Sequence, residues 1–214
     1  IFRSDQEVRF ANAIDGHPET FYQDELTAAG DIKFEDLNRD GKIDEQDRTV
    51  IGNPHPNVVY QLNTGLVYED FDLSLFFDGS QGNEVFNLNK MWNQASGGWA
   101  NRSVDMTNRW SLDNEAGTLP RVNIFDPNRN SRPHSGMIEN ASYFRINKID
   151  FGYKFSGWRN DKSTRIYLSV QNLAIFSNFS DGSGFYSNTF AEKGVKYGIF
   201  PATATLLVGI QLGI

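Results

Sequence analysis

The chain has 214 residues, enough for one β-rich domain, and a formal net charge of −7 with no basic stripe, which argues against nucleic acid as a partner. Apolar residues make up 39% and aromatics 14%, yet no run of about eighteen apolar residues exists to make a membrane helix. With no cysteine, disulfides and thiolate metal sites are excluded and the redox compartment stays open.

The opening IFRSDQEV carries no initiator Met, basic segment or apolar leader, so no targeting segment is visible and the chain is expected to be part of a longer protein. Residues 1–57 are polar and acidic and end at GNPHPN, whose two prolines suit an extended loop. This stretch reads as a loop or small lobe, with one helical turn predicted in QDELTAA. From Val58 the period becomes two: Val58, Tyr60, Leu62, Leu66 and Tyr68 share one face. A tight turn at Glu69 and Asp70 leads into Phe71, Leu73, Leu75 and Phe77, which complete a hairpin with one apolar side. Gly79 to Asn140 shows no sustained period and reads as a long loop, of a length that is usually functional.

A third strand is predicted from about Ser142 to Phe155. Its apolar face changes phase between Ile146 and Ile149, which implies a bulge near Asn147 and Lys148. After SGWRND, Ile166, Leu168 and Val170 mark a fourth strand. A second long loop covers about Asn172 to Pro201. A fifth strand, with Ala204, Leu206, Val208, Ile210, Leu212 and Ile214 on one face, runs to the last residue.

Strands with one apolar and one polar face suit either a soluble antiparallel sheet over a core or a transmembrane barrel. Long and short connections alternate strictly here, as outer-membrane barrels alternate external loops with periplasmic turns. The predicted class is therefore all-β: five antiparallel strands over 58–214 belonging to a larger transmembrane outer-membrane β-barrel, with further strands upstream. Tyr60, Tyr68, Phe71, Phe77, Tyr153 and Phe155 lie near strand ends, where interfacial aromatic girdles form. The alternative is a calcium-stabilised extracellular carbohydrate-binding β module.

Within the first lobe, DLNRDGKIDEQD at 36–47 has the spacing of an EF-hand loop, which offers oxygens from positions 1, 3, 5, 7, 9 and 12 around a glycine at 6. Those positions are Asp36, Asn38, Asp40, the Lys42 carbonyl, Asp44 and Asp47, with Gly41 at the turn. The twelfth residue is Asp rather than Glu, as in the dockerin variant of the loop. Such hard oxygen ligands favour Ca2+ in a structural role; without metal, the same residues make an Asx and Gly turn.

The run GDIKFEDLNRDGKIDEQDRTVIGNPHPNVVYQLNTGLVYEDFDLSLFFDGSQGNEVFN resembles the C-terminal barrel segment of SusC/RagA-family TonB-linked outer-membrane transporters of the Bacteroidetes, and so do ENASYFRINKIDFGYKF and RIYLSVQNLAIFSNFS. The resemblance implies a barrel of about twenty-two strands around a plug. It also implies import of oligosaccharides or peptides, the TonB complex as energy source, and a SusD-like surface lipoprotein as partner. The TonB-contacting segment, the plug and most strands do not match anything in these residues, and Ile214 stands where the family commonly has an aromatic. Transport by these residues alone is not expected.

No G-x-S-x-G, H-E-x-x-H or phosphate-loop motif is present, and nothing fixes Asp113 and Glu115 across a cleft, so no enzyme is expected. His17, His55 and His134 are isolated in loops and read as solvated. Trp92, Trp99, Trp110, Phe185 and Tyr186 lie in the external loops, where their rings would either stack on a ligand or pack against loop or lipoprotein.

Overall fold

The computed structural model describes residues 1–14, 20–94, 97, 101–155, 164–179, 194–197 and 203–212. The chain forms two compact units, Ile1–Ile51 with Asn87–Met137, and Gly52–Phe86 with Ile138–Ile214.

The second unit carries the strands. Alternating aromatic and β-branched residues build β1 (Val58–Tyr68), β2 (Phe71–Gln81), β5 (Tyr143–Phe155), β6 (Thr164–Ser177) and β8 (Thr205–Leu212), which pair antiparallel in the order β1-β2-β5-β6-β8. A smaller sheet, ordered β4-β3-β7, joins Ile138–Asn140, Glu84–Asn87 and Val195–Lys196. The β1–β2 hairpin is closed by two residues, with Tyr68 opposite Phe71 and Glu69 held at φ 51°.

The register keeps one apolar face across all five strands. Leu66 faces Leu73, Leu73 faces Phe151, Phe151 faces Leu168 and Leu168 faces Val208. The expected bulge is present, since the β2–β5 and β5–β6 ladders both step past Asn147. A second irregularity, at Asn172 (φ 51°), explains why the sequence pattern ends the fourth strand too early. Alternation breaks there, yet pairing resumes at Ala174 opposite Ile146 and β6 continues to Ser177.

In the first unit, α1 spans Asp5–Asn12, with the Ser4 hydroxyl accepting from the Glu7 amide at its N-terminus. QDELTAA is a turn, Thr27 N donating to Asp24 O, and not the expected helical turn. Phe2, Val8, Ala11 and Tyr22 form a small core with Ile43 packed against it. The stretch from Gly79 to Asn140 is not one uniform loop: it holds β3, α2 (Leu88–Asn93), 3-10 turns at Val104–Asn108 and Ser135–Met137, and β4. Residues 87–137 pack with 1–51, an association that hydrophobic periodicity cannot reveal.

Candidate functional site

The five-stranded sheet has two chemically opposite faces. Along its apolar face nothing among the described residues forms a covering layer: Leu168, on a strand paired on both sides, is 41% exposed, and Leu66 and Val208 are 65% and 74% exposed. A soluble antiparallel sheet turns such a face to its core. Rings line it in contact, Phe77 stacking on Phe144 at 5.9 Å, Phe144 on Phe176 at 6.2 Å and Phe71 against Tyr153 at 4.8 Å.

On the opposite face the charges are paired. Asp78 accepts from Arg145 Nε and Nη2 (2.9 and 2.8 Å), from Asn147 Nδ2 (2.9 Å) and from the Tyr143 hydroxyl (3.1 Å). Arg165 on β6 grips Asp72 on β2, its Nε 2.8 Å from Oδ1, while Lys148 pairs with Asp150. The bulge that frees Asn147 from the ladder thus delivers its amide to Asp78.

The acidic loop has the backbone winding that its sequence implies, with Arg39 at φ 63° and Gly41 at φ 88°. Asp36 accepts from the Arg39 and Gly41 amides (2.6 and 2.9 Å), Asn38 from Asp40 N, and Asp40 from Lys42 N. Asp47 closes the loop by accepting from Leu37 N and Asp44 N (2.9 and 2.8 Å). The Gln46 amide, then Lys42, hold the Asp44 carboxyl below the usual carboxylate range. The donor types suit a hard cation, but the carboxylates here turn onto the loop's own amides. Among the described residues no three Asp, Glu, His or Cys side chains gather as a metal-holding group.

The aromatic candidates part company. Trp92 lies on α2 and is 57% exposed. Trp110 is half-buried against Gly30, where an added β-carbon would sit 2.4 Å from Trp110 Cε3, so its ring packs within the lobe. Trp99, Phe185 and Tyr186 lie outside the described residues, as does His17. His134 is not solvated as expected: it is half-buried, edge-on to Phe34, and its Nδ1 accepts from Gly136 N at 3.1 Å.

Sequence reasoning missed a polar hub. Asp31 and Asn128 are fully buried and Asn130 nearly so; Asn130 Nδ2 donates to Asp31 Oδ1 (2.9 Å), and Asn128 Nδ2 to Asn130 Oδ1 (2.7 Å). Gln23 Nε2 donates to Asn128 Oδ1 at 2.7 Å. No local signal marks these residues, because the partners lie far apart in the chain.

The chain is 32% identical over 190 residues to TonB-dependent receptor P3 of Formosa agariphila, an alignment covering 84% of this chain and 18% of that protein. It is 27% identical over 187 residues to TonB-dependent receptor SusC of Bacteroides thetaiotaomicron, covering 84% and 17%. The chain belongs with the TonB-dependent receptors of the SusC/RagA kind. It spans about a fifth of the length of the curated receptors it matches. No family model matches it. In fold, this receptor segment resembles the RagAB peptide importer in its closed-closed state, with a TM-score of 0.62 at 19% identity over 77% of this chain and 18% of that one. The RagAB peptide transporter gives 0.60 at 20% identity, covering 75% and 17%. These relatives carry receptor and transporter names.

Proposed function

We propose that this segment is part of the wall of an outer-membrane β-barrel that imports a nutrient, a glycan or a peptide, with energy from the TonB complex. On this reading the apolar face meets lipid and the ion-paired face lines the lumen. The long connections lie outside the cell, where they meet a SusD-like surface lipoprotein. The observation that carries it is the uncovered apolar face running through all five strands against a charge-paired opposite face. The names of the receptor relatives and the fold shared with RagAB support the same reading. The loop at 36–47 holds a structural Ca2+ in this account, supported by its winding and its oxygen donors, with side chains that turn inward on binding.

No residue of this chain is cysteine, so a single introduced thiol reports on its own position once any cysteine elsewhere in the full-length protein has been replaced. In the full-length protein, Cys in place of Val50 or Phe125, both highly exposed in the lobe, should react with a membrane-impermeant maleimide on intact cells. Cys in place of Asp70, at the short turn, should react only after the outer membrane is permeabilised. Equal labelling of all three on intact cells would remove the barrel reading.

A further inference from the structure

The polar face of the sheet carries a broad hollow of about 480 Å3, bounded by Lys148 and Asp150 on β5, Arg165, Tyr167 and Gln171 on β6, and Gln211 on β8. Its floor is low because Tyr167 stands in register between two glycines, Gly152 and Gly209. A β-carbon at Gly209 would lie 2.3 Å from Tyr167 Cζ, so the phenol ring rests on bare backbone. The Arg165 guanidinium lies over the same ring at 5.1 Å.

Every charge in the hollow is already matched from within the sheet, Arg165 by Asp72 and Lys148 by Asp150. The remaining boundary groups are uncharged: two glutamine amides, the Tyr167 phenol, the Ser169 hydroxyl and the apolar Leu207 and Ile210. The Gln171 and Gln211 amides and the Tyr167 hydroxyl, which line the hollow, each carry both a donor and an acceptor. A charged solute entering here would lose hydration without gaining a free counter-charge. An uncharged solute with closely spaced donors and acceptors would exchange water for groups of both kinds.

We propose that this hollow is a contact patch on the cargo path for uncharged, donor- and acceptor-rich solutes, whether hydroxyls of a neutral saccharide or amides of a capped neutral peptide. The proposal rests on the reading that the polar face lines the lumen, and it adds selection by charge. The matched pairs are the selecting element: removing one member leaves its partner as a free charge in the hollow.

The test uses the full-length protein in detergent, presented with neutral, anionic and cationic pools of oligosaccharides and of capped peptides, with retained species read by native mass spectrometry. The unsubstituted protein should retain a neutral pool at least about tenfold over the charged pools, and which neutral pool it keeps distinguishes saccharide from peptide. Lys148→Gln should admit cationic species and Asp150→Asn anionic ones, while the double substitution restores neutrality and the original preference. Retention of no neutral pool, equal retention of charged pools, or unchanged selection in both single variants would each overturn the proposal. Outside labelling of the lobe cysteines is independent of charge selection. If labelling succeeds while selection fails, only the patch is lost; if labelling fails, the barrel reading falls with it.

Discussion

Arg165 reaches from β6 across the full width of β5 to clasp Asp72 on β2 with two nitrogens. The strand it crosses offers Gly152 at that point, and a β-carbon there would lie 2.5 Å from Arg165 Nε. Glycine is therefore the residue that lets a three-strand tie form.

Gly152→Ala should displace the guanidinium and cost about 1–3 kcal/mol, as overpacking does. In the Arg165→Met background the added methyl group meets no guanidinium, so the same substitution should cost little. A thermodynamic cycle of the four proteins, read by denaturant unfolding after reconstitution, measures the coupling. Additive losses would show that Arg165 and Gly152 do not act together.

A second tie joins stretches distant in sequence within the lobe. Arg121 Nε and Nη2 each lie 2.8 Å from a carboxylate oxygen of Asp31, which is fully buried and shares the hub of Asn128 and Asn130. Arg121→Ala leaves that carboxylate buried without its cation, a change that costs on the order of 3–5 kcal/mol. Hydrogen exchange should then quicken at residues 26–32 and 126–130 while the five strands keep their protection. Unchanged exchange in both stretches would mean that the amides of Asn130 and Ala28 suffice to hold Asp31.

The hub and the strands differ in how far sequence could reveal them. Period-two alternation marks an element wherever one face is apolar, so β1, β2, β5 and the bulge at Asn147 were legible. The same alternation hid the end of β6, because the irregularity at Asn172 breaks the pattern without breaking the pairing. α1 was missed although Ser4 and Glu7 have the spacing of an N-terminal cap, since a helix of two turns on a polar lobe shows little apolar stripe. The polar hub could not be read at all. Asp31, Asn128 and Asn130 look like ordinary loop residues until chain folding brings them together. The six loop residues Asp36, Asn38, Asp40, Lys42, Asp44 and Asp47 were readable as a motif; whether they take Ca2+ is a question of binding, not of pattern.

His134 makes the lobe sensitive to acid in a stated direction. Burial, then the positive charges of Lys90 and Arg132, push its pKa below the ordinary histidine value near 6.5. The neutral ring is also the form that accepts the Gly136 amide. Below the ordinary value the unfolded chain binds a proton that the folded lobe resists, so stability should fall as pH drops through that value and level off once the folded form also protonates. Hydrogen exchange of residues 133–137 between pH 7.5 and 5 measures this. His134→Gln should flatten the pH dependence; an unchanged slope would assign it to another group.

Calcium should act on the lobe through its loop. Addition of Ca2+ to chelator-treated full-length protein should slow exchange at residues 36–47, with affinity in the range of about 10⁻⁴–10⁻³ M typical of extracellular modules. Asp36→Asn removes the charge and keeps one acceptor oxygen for one of the Arg39 and Gly41 amides, so it should weaken binding and loosen the loop by one backbone hydrogen bond. Calorimetry showing no heat in the unsubstituted protein would make the loop a metal-free Asx and Gly turn.

The two faces of the sheet call for opposite tolerances to charge. Leu168 sits in the middle of the apolar face, flanked in register by Phe151 and Val208, whereas Ser74 points to the polar face opposite Asp150 and Gly65. If lipid covers the apolar face, Leu168→Arg places a cation in hydrocarbon and costs about 2–4 kcal/mol near the bilayer midplane. Ser74→Arg adds the same charge beside Asp150 in a wet, charged setting and should cost far less. Assembly in the outer membrane, read as the fraction of full-length protein that stays folded and heat-modifiable on gels, should drop for Leu168→Arg and hold for Ser74→Arg. Equal assembly of the two variants would show that no hydrocarbon covers the face at Leu168, and loss of Ser74→Arg alone would put the lipid on the other face of the sheet.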